Sequence, residues 1–201
     1  MLNNPLLHTA YFGPIFYYAI LLQNSNCTIE TQEHFVKQST RNRCSIYGSN
    51  GKLLLTIPKK RKGSDKKPIN KIEISYKENW QKEHWNAITS SYNSSPYFEY
   101  YKDEIFPLFE KEEILLIQFN SKAQDIILRI LNHKNNIKYT NEYQHQGNFT
   151  DLRNYNYILK KQKRYDQVFM EKYGFIDNLS ILDLLFNLGP ETTNYLYNIC
   201  L

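Results

Sequence analysis

The chain has 201 residues, 41% of them hydrophobic and 22% charged, enough for one domain that buries roughly 70% of its unfolded surface without disulfides or metals. Its formal net charge of +5 is local: the segment KKRKGSDKK (59–67) holds six of the 25 basic and one of the 20 acidic side chains, leaving 19 of each sign elsewhere. A neutral chain with one basic loop lacks the broad, aromatic-interleaved basic face of a nucleic-acid binder. That loop reads either as an attraction to acidic partners or a membrane surface, or as a plain solvated surface loop.

The first predicted element is a short strand in LHTAYF, opened by His8, and Gly13-Pro14 breaks it. A well-buried helix follows over Ile15 to Gln23. The apolar run AYFGPIFYYAILL has no basic residue before Lys37 and is too short to span a bilayer. It is therefore read as neither signal nor membrane segment, and the protein is expected to be cytoplasmic, with no transmembrane segment. CTIE (27–30) is a second strand. RCSIYGSNGKLLLTIP then reads as a hairpin turning at Asn50-Gly51. Leu53, Leu55 and Ile57 alternate with Leu54 and Thr56, which predicts a second hairpin strand mostly buried on both faces. Residues 68 to 75 predict a further strand carrying Ile69, Ile72 and Ile74.

From Asn79, a candidate cap, the period becomes helical, with Trp80, His84, Ala87, Ile88 and Ser91 on one face. Pro96 ends that helix, and two more are expected at about 98–110 and 121–131. IKYT (137–140) is a short strand, and 141–165 is a long polar loop of the kind that is functional or disordered. SILDLLFNL follows as an apolar helix capped by Ser180, stopped at Gly189-Pro190, with a final helix started by that proline. The pattern predicts an α/β (or α+β) single domain. It would hold a mixed sheet with an N-terminal strand and helix, a hairpin and packed helices, and a largely helical C-terminal half. Three cysteines without CxxC or metal-ligand spacing fit a reducing compartment and predict no metal; no cofactor is specified.

In an extended chain, Arg41 and Arg43 share one face about 7 Å apart, with Asn42 and Cys44 on the other. Two guanidiniums so placed can clasp a phosphate or carboxylate, with Lys37 just upstream, or they can guard an edge strand against mispairing. His84 reads as a core histidine or as a general acid or base. His8 lies near a strand end, where α/β proteins place ligand contacts. Asp183, set among Ile181, Leu182, Leu184, Leu185 and Phe186, needs a partner if buried, and Arg41 or Arg43 could supply it; a site role is the alternative.

HTAYFGPIFYYAILL, EHFVKQSTRNRC with GSNGKLLLTIP, WQKEHWNAITSSYNSSPYFEYY and FIDNLSILDLLFNLGPET together resemble the WbqC-like protein family of bacteria. The chain departs from the family at Gly13, where a proline is common, and at Thr9-Ala10 after His8. The resemblance implies a role in O-antigen, lipopolysaccharide or related surface polysaccharide synthesis. It implies a transferase acting on a nucleotide-activated or amino sugar, for instance by acyl or aminoacyl transfer. The alternative is a non-catalytic binding or scaffold protein of such a pathway, with glycan-biosynthesis enzymes as partners. On this footing Arg41, Asn42, Arg43 and Lys37 are the anion-binding candidates for a nucleotide sugar or other anionic small molecule. His84 becomes the candidate base, with His8 and Asp183 as further catalytic candidates, and Tyr92 a ligand-facing neighbour.

Overall fold

The computed structural model describes residues 2–60, 67–134, 136–154 and 162–201. Its centre is a parallel sheet of three short strands in the order β1 (Leu6–His8), β2 (Thr28–Glu30), β5 (Lys138–Tyr139). Leu6 pairs with Thr28 and His8 with Glu30, and Thr28 pairs with Lys138 on the other side. A parallel bridge from Leu6 to Asp151 extends the sheet past β1. Parallel strands need a crossover, and α1 (Ile15–Gln23) supplies it between β1 and β2. Eight of its nine side chains are buried, which is why it carries no polar face.

β3 (Arg43–Gly48) and β4 (Gly51–Thr56) form a separate antiparallel hairpin, so parallel and antiparallel pairings occur in different sheets. Gly51 has φ +96, which its turn position requires. β4 is less buried than its leucines suggest. Leu53 and Leu54 are both exposed, and only Leu55 of the strand joins the core, because a two-stranded sheet leaves much of β4 uncovered. The segment after Pro68 corrects another expectation: it is a 3-10 turn at Ile69–Lys71 followed by single bridges, although Ile69, Ile72 and Ile74 are all buried.

α2 (Trp80–Tyr92) buries Trp80, His84, Ile88, Ser91 and Tyr92 on the face the spacing gives, but Asn79 makes no side-chain cap. The helix expected at 98–110 is two, α3 (Phe98–Ile105) and α4 (Pro107–Glu110), divided at Pro107. α5 (Leu116–Ile130) begins five residues earlier than expected and turns Asn120 and Gln124 inward with its apolar residues. Between them, 141–154 carry no helix or ladder, as the polar composition predicts. α6 (Met170–Tyr173) was not foreseen.

α7 (Ile181–Leu188) has the expected cap, Ser180 Oγ accepting from Leu182 N, and α8 (Glu191–Tyr197) follows Pro190. Gly189 has φ +54, and a Cβ there would come closer than 3 Å to the Tyr97 ring, so only glycine fits. The N-termini of α1 and α7 are stitched together: Ile15 N donates to Leu179 O, and Ile181 N to Gly13 O. No helix among the described residues is long and apolar enough to cross a membrane. Most of the basic run lies at 61–66, outside the described residues.

Candidate functional site

In open α/β sheets the carboxyl ends of parallel strands are where ligands bind. Here those ends are His8, Glu30 and the residue after Tyr139, Thr140, and they meet Arg153 from the bridging segment. Around them the structure gathers four buried charged side chains, Arg41, Glu33, Arg153 and Glu30, with the exposed Asp151 at their edge, which sequence spacing could not join. Arg41 is 2% exposed and grips Glu33 in a fork, Nε to Oε1 at 2.7 Å and Nη2 to Oε2 at 2.6 Å. Arg153 holds Asp151 through Nη2 to Oδ2 at 2.6 Å and Nε to Oδ1 at 2.9 Å, and reaches Glu30 at 3.4 Å. Glu30 also accepts from Thr140 Oγ1, Gln32 N and Gln144 N, which fills its lone pairs. Burial pushes the Glu33 carboxyl up, and the bonds from Arg41 oppose that shift.

Beside this network opens a cavity of about 410 Å³. Its walls come from the turn after β1 (His8, Phe12, Pro14), from 36–45, from Arg153 and Asn154, and from Asn178 and Ser180 before α7. Arg41, Arg43 and Lys37 line it, joined by Lys52 from β4. The two arginines differ. Arg41 is committed to Glu33, whereas the Arg43 side chain makes no hydrogen bond or ion pair among the described residues, and its Nε is shut off from water without a partner there. Asn42 points elsewhere, its Nδ2 donating to Ile57 O at 2.8 Å, so it fastens the chain to the end of the hairpin and does not line the cavity.

Backbone strain collects at the same place. Among the described residues five non-glycines have positive φ, and three of them, Phe12 (+37), Gln38 (+55) and Asn178 (+48), line this cavity. Phenylalanine in that region is costly, and such conformations persist where the surroundings over-determine them, most often at functional sites. The helix N-termini nearby add no free donors, since Ile15, Phe16, Ile181 and Leu182 already give their N–H groups to the protein.

His8 closes β1 instead of opening it and is 3% exposed. Its Nε2 lies 2.6 Å from Thr40 Oγ1, and the Arg153 backbone lies near the ring. Burial, and next the Arg41 charge, hold its pKa down to about 3, so the ring is neutral. His84 lies apart from the cavity, in the aromatic core against Tyr11 and Trp80, with Nδ1 2.9 Å from Tyr11 Oη. Burial lowers its pKa to about 4.

Asp183 corrects the expected arginine pairing. Tyr92 Oη donates to it at 2.9 Å, Tyr165 Oη at 2.5 Å and Gln167 Nε2 at 2.8 Å, and neither Arg41 nor Arg43 touches it. Burial raises its carboxyl pKa against those three bonds. Tyr92 is consequently not ligand-facing; it is fully buried and accepts from Tyr47 N while donating to Asp183. Missed at the sequence level were Thr40, Glu30, Glu33, Asp151 and Arg153. Only Glu30 and Glu33 carried a signal, as acids in and just past a strand end. No three metal-ligating side chains gather among the described residues.

An uncharacterized protein of Mycobacterium tuberculosis (strain ATCC 25618 / H37Rv), Rv1507c, is 24% identical over 193 residues, spanning 81% of this chain and 83% of that protein. No solved structure matches the chain. The family model for the WbqC-like proteins matches residues 9–156, which carry most of the cavity wall, and on that match this chain belongs to the WbqC-like protein family.

Proposed function

We propose that this protein is a group transferase of surface-polysaccharide synthesis. It would bind a nucleotide-activated or amino sugar through its anionic group and catalyse acyl or aminoacyl transfer. The observation that carries the reading is Arg43: a cation in a cavity wall, with a water-excluded donor, Nε, that has no acceptor among the described residues. A buried donor without a partner is a cost unless a ligand supplies the acceptor. A phosphate or carboxylate does so, and Lys37 and Lys52 add positive charge on the same wall. The volume suits a sugar phosphate, within the roughly 300–1,000 Å³ of small-molecule sites. The glycan part of the reading rests on the family resemblance.

A non-catalytic scaffold role has one observation in its favour, the exposed Leu53 and Leu54 on a strand with an open outer edge. A thermal-shift screen against nucleotide sugars, free nucleotides and acyl-CoA separates the two. Stabilisation by a nucleotide sugar that disappears in Arg43→Met supports the transferase reading. A flat response to every anion, with the wild type folded, rejects it and favours the scaffold.

A further inference from the structure

We propose that Thr40 and His8 are a nucleophile–base pair, and that the transferred acyl group passes through an ester on Thr40 Oγ1. The step rests on the acyl-transfer form of the reading above and adds the route. Three observations converge on it. First, Thr40 Oγ1 and His8 Nε2 are 2.6 Å apart, within reach for direct proton transfer. Second, the pair is built into the cavity wall unevenly: His8 is buried, while Thr40 is half-exposed on the cavity side. The nucleophile faces the ligand space and the base stands behind it.

Third, the surroundings of the pair are fixed. The Arg153 backbone lies near the His8 ring and favours its cation, and the Arg153 carbonyl accepts from Arg41 Nη2 at 3.2 Å. Thr40 is itself pinned, because its own carbonyl accepts from Tyr11 N at 2.9 Å.

The co-reactant is an activated acyl donor, a thioester or acyl phosphate. Thr40 Oγ1 attacks its carbonyl carbon as His8 Nε2 takes the hydroxyl proton. The bond to the leaving group breaks, the leaving group departs with that proton, and an ester remains on Thr40. The amine of an amino sugar then attacks the ester carbonyl. His8 removes the amine proton and returns it to Thr40 Oγ1 as the ester bond breaks. The product is an amide and the enzyme is regenerated. Arg43 Nε is a donor on the same wall for negative charge developing on the substrate.

Burial and the Arg41 charge disfavour the His8 cation and make the ring a weak base. The charged groups around it are Arg41 with Glu33, Arg153 with Asp151 and Glu30, and Arg43, Lys37 and Lys52 on the same cavity wall. An anionic ligand among them favours the imidazolium and strengthens the base once the substrate is seated. Acylation is thereby coupled to occupancy.

The test uses p-nitrophenyl acetate as a surrogate donor in phosphate buffer, whose anion can occupy the Arg43 end. Release of p-nitrophenolate is followed in time, and the acetyl group is mapped by peptide mass spectrometry. The expected result is a stoichiometric burst with acetyl on Thr40, retained in Thr40→Ser, lost in Thr40→Val and slowed about 100-fold in His8→Gln. Thr40→Val is nearly isosteric and keeps the fold in play if His8→Gln does not fold. Acetyl found only on lysines, or a burst unchanged in Thr40→Val, overturns the proposal. Arg43-dependent stabilisation by a nucleotide sugar is read separately on Thr40→Val, so failure of the covalent route and failure of the binding reading are distinguishable.

Discussion

Arg41 and Glu33 face each other in a two-bond fork at 2.6 and 2.7 Å, both almost wholly removed from water. An isolated buried charge is costly, and here each charge is the other's compensation. Arg41→Ala strands Glu33 and is expected to lose about 3–5 kcal/mol of stability. The double change Arg41→Met with Glu33→Leu should recover much of that loss. Urea unfolding of the three proteins measures this. A loss under 1 kcal/mol for Arg41→Ala would remove Arg41 as the prop of the cavity.

Arg43 behaves oppositely. Its Nε has no acceptor to lose, so Arg43→Met should change stability by no more than about 0.5 kcal/mol, or raise it. The same urea experiment decides it, and a large destabilisation would mean that Arg43 supports the fold instead of a ligand.

Both histidines set an acid limit. His8 and His84 have folded pKa values of about 3 and about 4, below the ordinary 6.5, so below pH 6.5 the unfolded chain binds protons the native state refuses. Their contribution is present above pH 6.5 and is lost as pH falls towards those lowered values. Each adds a slope of up to about 1.4 kcal/mol per pH unit in that window. Unfolding free energies measured from pH 7 to 4 should fall steeply, and His84→Gln should flatten the slope by about one proton. An unchanged slope in that variant would show that His84 is not held neutral.

How much of this was legible beforehand varies with the kind of signal. α1, the hairpin, α2 and the Ser180 cap of α7 follow from local pattern, because apolar period, Asn-Gly and capping chemistry act within a few residues. Ile69, Ile72 and Ile74 were correctly seen as apolar positions but placed in a strand. Their burial comes from scattered contacts to Lys59 and to the start of α5, which no local period encodes. The cavity was half legible. Arg41 and Arg43 stood out by spacing, yet nothing in the sequence distinguishes the arginine bonded to Glu33 from the one left open. Thr40 and Arg153 lie in segments with no periodicity, 113 residues apart in the chain, and only the fold brings both to His8. Asp183 was rightly marked as needing partners. They proved to be neutral hydroxyls and an amide, which carry no charge signal.

Asp183 yields a further expectation. Its carboxylate accepts from Tyr92, Tyr165 and Gln167 and so ties α7 to α2 and to the segment before α6. Asparagine keeps one acceptor oxygen and turns an NH2 towards donors, so Asp183→Asn should cost roughly 2–3 kcal/mol. Thermal unfolding monitored by near-ultraviolet dichroism reports both the loss and the changed tyrosine environments. A variant as stable as the wild type would mean that Asp183 is already protonated in the native protein.

The wall of the cavity is assembled from positions 8 to 180, and its sheet closes only when 138–139 reach 28–29. Such distant pairings are late events in folding, because a long loop must close before its contacts repay the lost entropy. During synthesis the N-terminal strand, α1 and the hairpin can form early, but Arg153, Asn178 and Ser180 do not yet exist. A nascent chain therefore lacks the complete cavity wall until residues as far as Ser180 have been translated, so any ligand that needs the whole wall selects chains that have passed that point.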